Sequence, residues 1–484
     1  MFASGDKLHN LRHNAAMSAH SLSTHALQLQ SQIRPEHIAL SIGQQQLSYQ
    51  QLYVMVKATA EQLRLQGVTQ GSRVCCFGED PLRMLLLQLA SLELAYIFCP
   101  LNHHHPLSQL QALSETVDCQ FYWSDLDYSL QQAKRVEFNP HQHLSCSASI
   151  ELNSEAPMSM VFTSGSSGPP KAVVHCWRNH YYSAQGSQAM IPLKHQDQWL
   201  LSLPLYHIGG QAIVWRCLLA GARIVVAQNK GRVFPDLLGS DTTHVSLVPT
   251  QLYRLLTQAK FWAHSLKLKH ILIGGAACND SLLEEAISRG FQVYSSYGSS
   301  EMSSQIATRH HRLGQSAYQI LPHRRAKIHQ GEIYLRGKTL FLGYWKNGEI
   351  LKACEPDGWF NSGDRGLIEG AHLHTLGRSN NMFICAGENI QPEEIELALL
   401  QHPMINQAVV VAQQNSEYGQ CPVAFINAEQ KLSKQQLNLF LRQQLAAIKL
   451  PIAYFELPAH NSLKPSRNEL STLANHKSSC CDQC

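Results

Sequence analysis

The chain is organised around one stretch, Met160-Val-Phe-Thr-Ser-Gly-Ser-Ser-Gly-Pro-Pro-Lys171-Ala-Val-Val174. Two short apolar runs flank hydroxyl residues, glycines and prolines, which predicts a strand, a polar loop and a second strand. The glycines let the backbone approach a ligand closely, and the hydroxyl and amide donors suit a polyphosphate. The loop is not a Walker A loop, because the pattern G-x-x-x-x-G-K-S/T does not fit it. Taken alone, it leaves a flexible Ser/Gly surface loop as the alternative.

The length of the chain and its charge narrow the class of protein. At 484 residues it is too long for one ordinary core, which predicts at least two domains. The net charge is only +4 and no Lys/Arg run forms a stripe, so nucleic acid is not an expected partner. The apolar stretch Met84 to Pro100 is broken by Gln88 and Glu93, which argues against a membrane span. The first twenty residues lack the apolar centre of a secretory signal, so we expect a cytoplasmic protein. A homo-oligomer stays open.

Cysteine and histidine usage predicts no metal site. Most of the fourteen cysteines stand singly in apolar segments, where a thiol behaves as a small hydrophobic group. The C-terminal Cys480-Cys481-Asp482-Gln483-Cys484 contains one C-x-x-C pair, but a structural site needs about four ligands. We expect a reduced tail there, and a solvated turn at His103-His104-His105.

The order of apolar patterns predicts the architecture. From Ile38 to Ser295 strands alternate with helices, which indicates a parallel sheet covered on both faces. Beyond about Ile320, short strands with glycine turns indicate a β-rich subdomain. After Gly377-Arg378 a new α+β pattern begins, with a last helix expected over Ser433 to Ile448. We therefore predict an α/β fold: a large N-terminal domain (1–378) of mixed and parallel sheets sandwiched with helices plus the β-rich subdomain, and a small mobile α+β C-terminal lid domain (379–484).

Four motifs in order resemble the adenylate-forming superfamily of acyl-CoA ligases, luciferases and adenylation domains. Thr163 to Lys171 resembles its phosphate loop, and Tyr297-Gly-Ser-Ser-Glu301 resembles its Y-G-x-S/T-E motif. Gly358-Trp-Phe-Asn-Ser-Gly-Asp364 resembles the ribose motif, and the segment from Gly377-Arg378 to Glu396 resembles the interdomain motif. The resemblance covers nearly the whole chain from about Pro35.

The resemblance implies a two-step reaction with ATP, Mg²⁺ and coenzyme A. A carboxylate attacks the α-phosphorus of ATP, and a thiol then displaces AMP from the acyl-adenylate. Glu301 is the implied magnesium ligand, and Lys171 with the loop amides would neutralise the leaving pyrophosphate. Tyr297 would stack on adenine, while Asp364 and Arg378 would bind the ribose. The implied nucleotide-binding residues are Thr163, Ser164, Gly165, Ser166, Ser167, Gly168, Gly275, Ala276, Ser296, Tyr297, Gly298, Ser300, Asp364 and Arg378.

Several of these residues also have an ordinary interpretation. Glu301 and Arg378 would then be surface charges, Asp364 a turn residue, and Gly274 to Ala277 a plain turn between a strand and a helix. The implied catalytic lysine is Lys464 in Asn461-Ser-Leu-Lys464-Pro-Ser-Arg467, which departs from the commoner S/T-G-K pattern. A solvated tail lysine is its alternative. The hinge of the mobile domain would be Asn380, where many relatives have Asp.

The segment Leu203-Pro-Leu-Tyr-His-Ile-Gly-Gly-Gln211 corresponds to the acyl pocket of the superfamily. Within the superfamily the chain looks most like the 2-succinylbenzoate-CoA ligases of menaquinone synthesis, whose substrate is an aromatic dicarboxylate. His207 would gate or contact the carboxylate, unless it is a core histidine. Arg216 would bind the second carboxylate, with Gln211 and Ser303 as polar lining; otherwise Arg216 lies on the outer face of its helix. Another acyl- or aryl-CoA ligase and a carrier-loading enzyme remain the alternatives.

Overall fold

The computed structural model describes residues 22, 24–142, 144, 151–163, 170–227, 241–257, 266–275, 278, 280–311, 317–386, 388–415, 418–459 and 465–481, with side chains to residue 476. The helices and strands of the first half, in chain order, are α1 (Ala26–Ile33), β1 (Ile38–Ile42), β2 (Gln45–Ser48), α2 (Tyr49–Leu65), β3 (Arg73–Cys76), α3 (Pro81–Leu94), β4 (Ile97–Pro100), α4 (Leu107–Thr116), β5 (Phe121–Trp123), β6 (Lys134–Arg135), β7 (Pro157–Thr163), β8 (Lys171–Cys176), α5 (Trp177–Gln188), β9 (Gln198–Leu200), α6 (Ile208–Ala220) and β10 (Arg223–Val226).

The second half continues with α/β alternation and then with short strands. Its elements are β11 (His244–Leu247), α7 (Pro249–Leu256), β12 (His270–Ile273), α8 (Asp280–Ser288), β13 (Gln292–Ser299), β14 (Ser304–His310), β15 (Tyr318–Ile320), β16 (Arg324–His329), β17 (Glu332–Gly337), β18 (Gly343–Lys346), β19 (Glu349–Leu351), β20 (Phe360–Glu369), β21 (His372–Arg378), β22 (Phe383–Cys385), β23 (Glu388–Ile390), α9 (Pro392–Leu400), β24 (Ile405–Asn415), β25 (Gly419–Ala428), α10 (Lys434–Leu441), β26 (Ala453–Glu456) and α11 (Arg467–Cys481). Short 3-10 turns span Ser300–Met302, Ser379–Asn381 and Ala447–Lys449.

Two large sheets hold most of the chain. The first has the strand order β16-β17-β20-β21-β15-β14-β13-β12-β11-β9-β10-β1-β2. Its strands from β13 through β12, β11, β9 and β10 to β1 run parallel, and the rest pair antiparallel. The second sheet has the order β19-β18-β8-β7-β4-β3-β5-β6. The β-rich segment therefore does not form a sheet of its own: most of it extends the first sheet, and β18 and β19 extend the second.

Helices fill the space between the two large sheets. Side chains of α2, α3, α5 and α6 share one core with Trp199 of the first sheet and Phe98 of the second. The outer face of the first sheet is covered by α7 and α8, through Leu252 and Leu283. The outer face of the second sheet is covered by α4, through Leu110. Helices on both faces of largely parallel strands are the arrangement that the alternating pattern predicted.

Local sequence signals account for several boundaries. Ser48 accepts a hydrogen bond from the Gln51 amide, and the Gln51 side chain accepts one from the Ser48 amide, so a complete capping box starts α2. Gly221 ends α6 in a left-handed conformation with φ 69°. The predicted β1–β2 hairpin and the β7–loop–β8 arrangement are confirmed, with Thr163 paired to Lys171 where the loop begins and ends.

The third sheet holds the last part of the chain. Its order is β23-β22-β25-β24, with β26 paired to the other side of β25. Helices α9 and α10 pack on one face and α11 on the other. The helix expected from Ser433 to Ile448 is wrong in length, because α10 ends at Leu441. There the chain winds into tighter turns, which bring Leu445 and Leu450 back onto the core before Pro451 ends helical geometry.

Candidate functional site

Several of the predicted site residues that the structure describes lie at or beyond the carboxyl ends of the parallel strands β9, β12 and β13. His207 follows β9, Gly275 follows β12, and Tyr297 lies in the last part of β13. In open α/β sheets, ligands bind in the crevice outside this edge. Gly275 has φ 89°, a left-handed conformation that favours glycine at this turn.

Three residues distant in sequence form one hydrogen-bonded cluster. The Tyr297 hydroxyl donates to Asp364 Oδ2 over 2.6 Å, and Arg378 Nε lies 3.3 Å from Asp364 Oδ1. Asp364 and Arg378 face each other as partners on β20 and β21. Burial raises the pKa of the Asp364 carboxyl, although the Tyr297 hydrogen bond and the Arg378 charge act in the opposite direction. Asp364 is therefore a strand residue with a largely buried side chain and not a turn residue, whereas Arg378 pairs with it from an exposed position.

A second cluster joins Glu301 to Lys171. The Tyr344 hydroxyl donates to Glu301 Oε1 over 2.9 Å, and Lys171 Nζ lies 5.0 Å from the centre of the Tyr344 ring. Sequence reasoning missed Tyr344, which lies on β18, 43 positions beyond Glu301. Its only signal was an aromatic residue directly after Gly343 in a strand-like run. Tyr344 thus contacts the predicted cation Lys171 through its ring and the predicted metal ligand Glu301 through its hydroxyl.

His175 supports the turn that carries Glu301. Its Nε2 lies 2.7 Å from the backbone oxygen of Ser300, which can only accept, so Nε2 carries the proton. Burial lowers the pKa of His175 to about 4, so the ring is neutral at pH 7. Because His175 stands in an apolar strand, no local sequence pattern predicts its contact with the Glu301 turn.

The segment Leu203–Gln211, which is predicted to form the acyl pocket and is called the acyl segment below, packs tightly at the start of α6. A Cβ at Gly210 would lie 2.2 Å from the backbone oxygen of Pro204, so only glycine fits there. His207 precedes the first turn of α6 and its side chain is exposed, which excludes the core-histidine interpretation. Gln211 is buried and donates to the Leu205 oxygen over 3.0 Å.

Arg216 is a buried cation on α6. It is 4% exposed, and its Nη2 donates to Gln305 Oε1 over 2.8 Å and to Ser304 Oγ over 3.3 Å. Its guanidinium lies 5.3 Å from the centre of the Trp199 ring. Burial lowers the pKa of Arg216 to about 10, so it stays charged at neutral pH. The alternative that Arg216 lies on an outer helix face is excluded by this burial.

Ser303 lies beside this cation but faces elsewhere. Its side chain is fully buried and donates to the Thr339 oxygen over 3.0 Å. Ser303 and Ser304 have φ values of 54° and 105°, which are unfavourable for residues with a Cβ. Such backbone conformations persist only where the surroundings impose them, and they cluster at functional sites.

A cavity of about 300 Å³ opens beside the acyl segment. It lies between the end of β9, the start of α3 and the turn after β4. Its lining includes Asp80 and His103 together with Leu203 to Tyr206 of the predicted acyl segment, but not His207, Gln211, Arg216 or Ser303.

Part of the predicted site lies outside the described residues: Ser164, Gly165, Ser166, Ser167, Gly168, Ala276 and Lys464. Three residues after Lys464, Arg467 is tightly held. Its Nη1 donates to the Val410 oxygen over 2.6 Å, and its Nη2 donates to Glu396 Oε2 over 2.8 Å. This ion pair fixes the start of α11 against α9 and β24.

Ser296 and Ser300 flank the Tyr297 motif. Ser296 is partly exposed and pairs with Thr308 across β13 and β14, and Ser300 starts the 3-10 turn that carries Glu301. Among the described residues no group of three or more His, Cys, Asp or Glu side chains is arranged to hold a metal ion. A lone Glu301 still fits Mg²⁺, which is commonly held by one or two carboxylates plus substrate phosphates. None of the described helices has the length and apolar character needed to cross a membrane.

Comparisons with known proteins identify a family and similar sequences. The chain matches the AMP-binding enzyme family over residues 27–345 and the AMP-binding enzyme C-terminal domain over residues 394–464. It is 36% identical over 436 residues to the 2-succinylbenzoate-CoA ligase of Haemophilus influenzae, which covers 88% of this chain and 92% of that protein.

Two solved structures share the fold over almost the whole chain. A variant of Escherichia coli MenE with bound OSB-AMS has a TM-score of 0.85 and 32% identity, covering 94% of this chain and 99% of that one. The O-succinylbenzoate coenzyme A synthetase of Bacillus subtilis, in complex with ATP and magnesium ion, has a TM-score of 0.82 and 28% identity, covering 92% and 99%. The predicted fold class is thereby confirmed.

Proposed function

Because the chain belongs to the AMP-binding enzyme family, we propose that it is an AMP-forming ligase that adenylates 2-succinylbenzoate with ATP and transfers the acyl group to coenzyme A in menaquinone synthesis. The resemblance drawn from the four motifs is confirmed by this family match and by the relatives. The observation that carries the choice of substrate is the buried Arg216, which has no carboxylate within 4 Å among the described residues. An unpaired buried cation is costly, and the second carboxylate of the substrate supplies its counter-charge.

The cluster of Tyr297, Asp364 and Arg378 supports binding of the adenosine part of ATP. Each Asp364 oxygen holds one donor and keeps a lone pair for a ribose hydroxyl. In this proposal the partly exposed ring of Tyr297, in the last part of β13, stacks on adenine. In this proposal Arg378 stabilises the ionised carboxylate and adds a donor to the sugar.

Glu301 and Lys171 support the phosphate end. The Glu301 carboxylate is a hard oxygen ligand of the kind that Mg²⁺ prefers. When bound, the ion screens the negative charge of the phosphates from the attacking carboxylate. Tyr344 orients Glu301 by its hydrogen bond and keeps Lys171 over its ring, so one side chain positions both charges.

The remaining roles complete the two-step reaction. Lys464 contacts the attacking carboxylate and the α-phosphate, and the ion pair of Arg467 with Glu396 fixes the segment that follows it. His207 contacts the carboxylate that is activated, while the buried Gln211 and Ser303 support the pocket wall through their hydrogen bonds to the Leu205 and Thr339 oxygens. We propose the boundary between residues 1–378 and 379–484 as the hinge, at Asn380, about which the lid domain alternates between the two half-reactions.

A panel of acids tests this function. With ATP, Mg²⁺ and coenzyme A, pyrophosphate release is measured with 2-succinylbenzoate, benzoate, coumarate and medium-chain acids. We expect 2-succinylbenzoate to be turned over far faster than the others. Comparable turnover of any other acid would indicate a different acyl-CoA ligase. Release of pyrophosphate without thioester formation would indicate a carrier-loading enzyme.

Two substitutions test the assigned residues within that function. Lys464→Ala should abolish adenylate formation while leaving thioester formation from supplied adenylate largely intact, and equal loss of both half-reactions would show that the lysine is misassigned. Arg216→Ala should raise KM for the dicarboxylate far more than for a monocarboxylate. Equal shifts for the two acids would remove Arg216 from the substrate pocket.

A further inference from the structure

Arg324, at the start of β16, is a second buried cation next to Arg216. It is 5% exposed, and its Nε donates to the backbone oxygen of Gln305 over 2.5 Å, while Arg216 binds the side chain of the same Gln305. Across the described part of the chain, no Asp or Glu lies within 4 Å of either guanidinium. Burial, and then the charge of Arg216, lower the pKa of Arg324 to about 9, so both groups stay cationic at pH 7. Two such charges without an acidic partner need an anion nearby.

The protein makes room for Arg324 at a helical glycine. A Cβ at Gly186, inside α5, would lie 2.1 Å from Arg324 Nη1 and 2.8 Å from the Pro322 oxygen. Glycine inside a helix is less stable than alanine at the same position. The guanidinium that this gap admits donates to the Pro322 oxygen over 2.8 Å. The space is therefore shaped for this side chain.

Arg324 also holds the backbone turn that leads to Arg216. Its Nη2 lies 3.2 Å from the Ser183 oxygen and 3.3 Å from Ser183 Oγ. The Ser183 hydroxyl in turn donates to the backbone oxygen of Ser303. Ser303 and Ser304 have the unfavourable positive φ values, and Ser304 Oγ accepts from Arg216. Both ends of this strained turn thus depend on the two cations.

We propose that Arg324 is a positioning residue that fixes Gln305 and the Ser303–Ser304 turn, so that Arg216 faces the second carboxylate of the substrate and the enzyme selects a dicarboxylate over a monocarboxylate. This inference rests on the proposed function. It assigns to Arg324 no contact with the substrate. Its charge adds to the positive potential at the anionic end of the pocket. Its planar group donates in fixed directions to three backbone oxygens, those of Gln305, Pro322 and Ser183, which an ammonium does not reproduce.

The test compares 2-succinylbenzoate with its two mono-amides, in each of which one carboxylate is replaced by an amide. Only the mono-amide that keeps the carboxylate to be activated can be turned over, and this active mono-amide serves as the monocarboxylate substrate. In Arg324→Met we expect kcat/KM for the dicarboxylate to fall roughly 10- to 100-fold, the range for a lost hydrogen bond to a charged group. For the active mono-amide, kcat/KM and the KM for ATP should change less than about threefold. Arg324→Lys should recover part of the selectivity, because it keeps the charge and loses the planar donors.

Gly186→Ala is the second variant, since it displaces the guanidinium and keeps its charge. It should lower the selectivity ratio, which is kcat/KM for the dicarboxylate divided by kcat/KM for the active mono-amide, although alanine favours the helix. Arg325→Met, at the exposed neighbour of Arg324 on β16, is the matched control and should leave the ratio unchanged. Equal losses for dicarboxylate and mono-amide, with a lower Tm, would make Arg324 a structural residue only and overturn the proposal. If the unaltered enzyme does not prefer the dicarboxylate, the proposed function itself fails.

Discussion

Asp364 is the residue on which the nucleotide cluster depends, because it receives donors from two other motifs. Tyr297→Phe keeps the ring and removes only the hydroxyl that donates to Asp364 Oδ2. A hydrogen bond to a charged group contributes about 1.5–3 kcal/mol, so we expect KM for ATP to rise roughly tenfold with little change in kcat. Steady-state kinetics with varied ATP measure this. An unchanged KM would mean that the hydroxyl does not orient the ribose ligand.

The raised pKa of Asp364 gives a second prediction at this scale. The folded protein binds the proton of this carboxyl more tightly than the unfolded chain does. The resulting stabilisation is fully present below the unfolded pKa and is lost as pH rises through the folded pKa. Asp364→Asn should therefore have a higher Tm than the unaltered protein at pH 7 to 8, and the difference should shrink as pH falls towards 4.

The same substitution separates stability from binding. Asparagine cannot accept from two ribose hydroxyls and pair with Arg378 at once, so ATP binding should weaken while Tm rises. Thermal unfolding at several pH values, combined with titration of ATP, measures both effects. If Asp364→Asn has a lower Tm than the unaltered protein across this pH range, the ionised Asp364 carboxylate does not lower the free energy of unfolding as proposed.

The sequence predicted these residues because each stands in a short motif, but it did not predict their contacts. Tyr297 and Asp364 are 67 positions apart, and their hydrogen bond depends on how β20 and β13 are placed in one sheet. Tyr344 and His175 belong to ordinary strands. Their contacts with Glu301 and with the Ser300 oxygen arise from tertiary packing alone, so no local sequence pattern predicts them.

At the scale of elements, Gly298 controls the join between β13 and β14. The pairing register shifts between Tyr297 and Gly298, and a Cβ at Gly298 would lie 2.2 Å from the Ser304 oxygen. Gly298→Ala should therefore separate the two strands at the motif. We expect a loss of roughly 2–4 kcal/mol in the free energy of unfolding, because a rigid backbone oxygen blocks the added methyl.

Gly274→Ala is the matched control for this substitution. The nearest atom to its added Cβ is Ser296 Cβ at 3.9 Å, which is ordinary contact. Chemical denaturation of both variants should show a large change only for Gly298. If both variants unfold at the same denaturant concentration as the unaltered protein, the bulge tolerates a side chain and the packing argument is wrong.

Element boundaries show where sequence patterns succeed and fail. The start of α2 was predicted because its capping box is local to Ser48 and Gln51. The end of α10 was missed because the apolar spacing continues past Leu441, while the core requires Leu450 on the same side of the sheet. Tertiary packing overrides helical periodicity there. The joining of the β-rich segment to the first sheet was likewise beyond local patterns, since it depends on pairing between β14 and β15.

At the scale of the whole molecule, the proposed hinge turn is tied on both sides. On one side the Ser379 hydroxyl donates to Glu332 of β17, and Asn361 Nδ2 donates to the other Glu332 oxygen over 2.6 Å. On the other side Asn381 Nδ2 donates to Glu393 of α9 over 2.5 Å. The Ser379 hydrogen bond lowers the pKa of Glu332, so this contact is present at neutral pH and is lost only as pH falls through that lowered pKa. These ties stabilise the present arrangement of the last sheet.

If the lid domain alternates between two arrangements, one for each half-reaction, then removing one of these hydrogen bonds must favour the arrangement other than the one in this structure. Ser379→Ala removes a hydrogen bond to a carboxylate, worth about 1–2 kcal/mol here because the site is partly exposed. We expect the single-turnover rates of adenylate formation and of thioester formation from supplied adenylate to move in opposite directions, by roughly 3- to 10-fold. Ser288→Ala, at an exposed helical serine that donates only to the Glu285 oxygen, is the control. Equal changes in both half-reactions would mean that the tie supports folding and not the alternation.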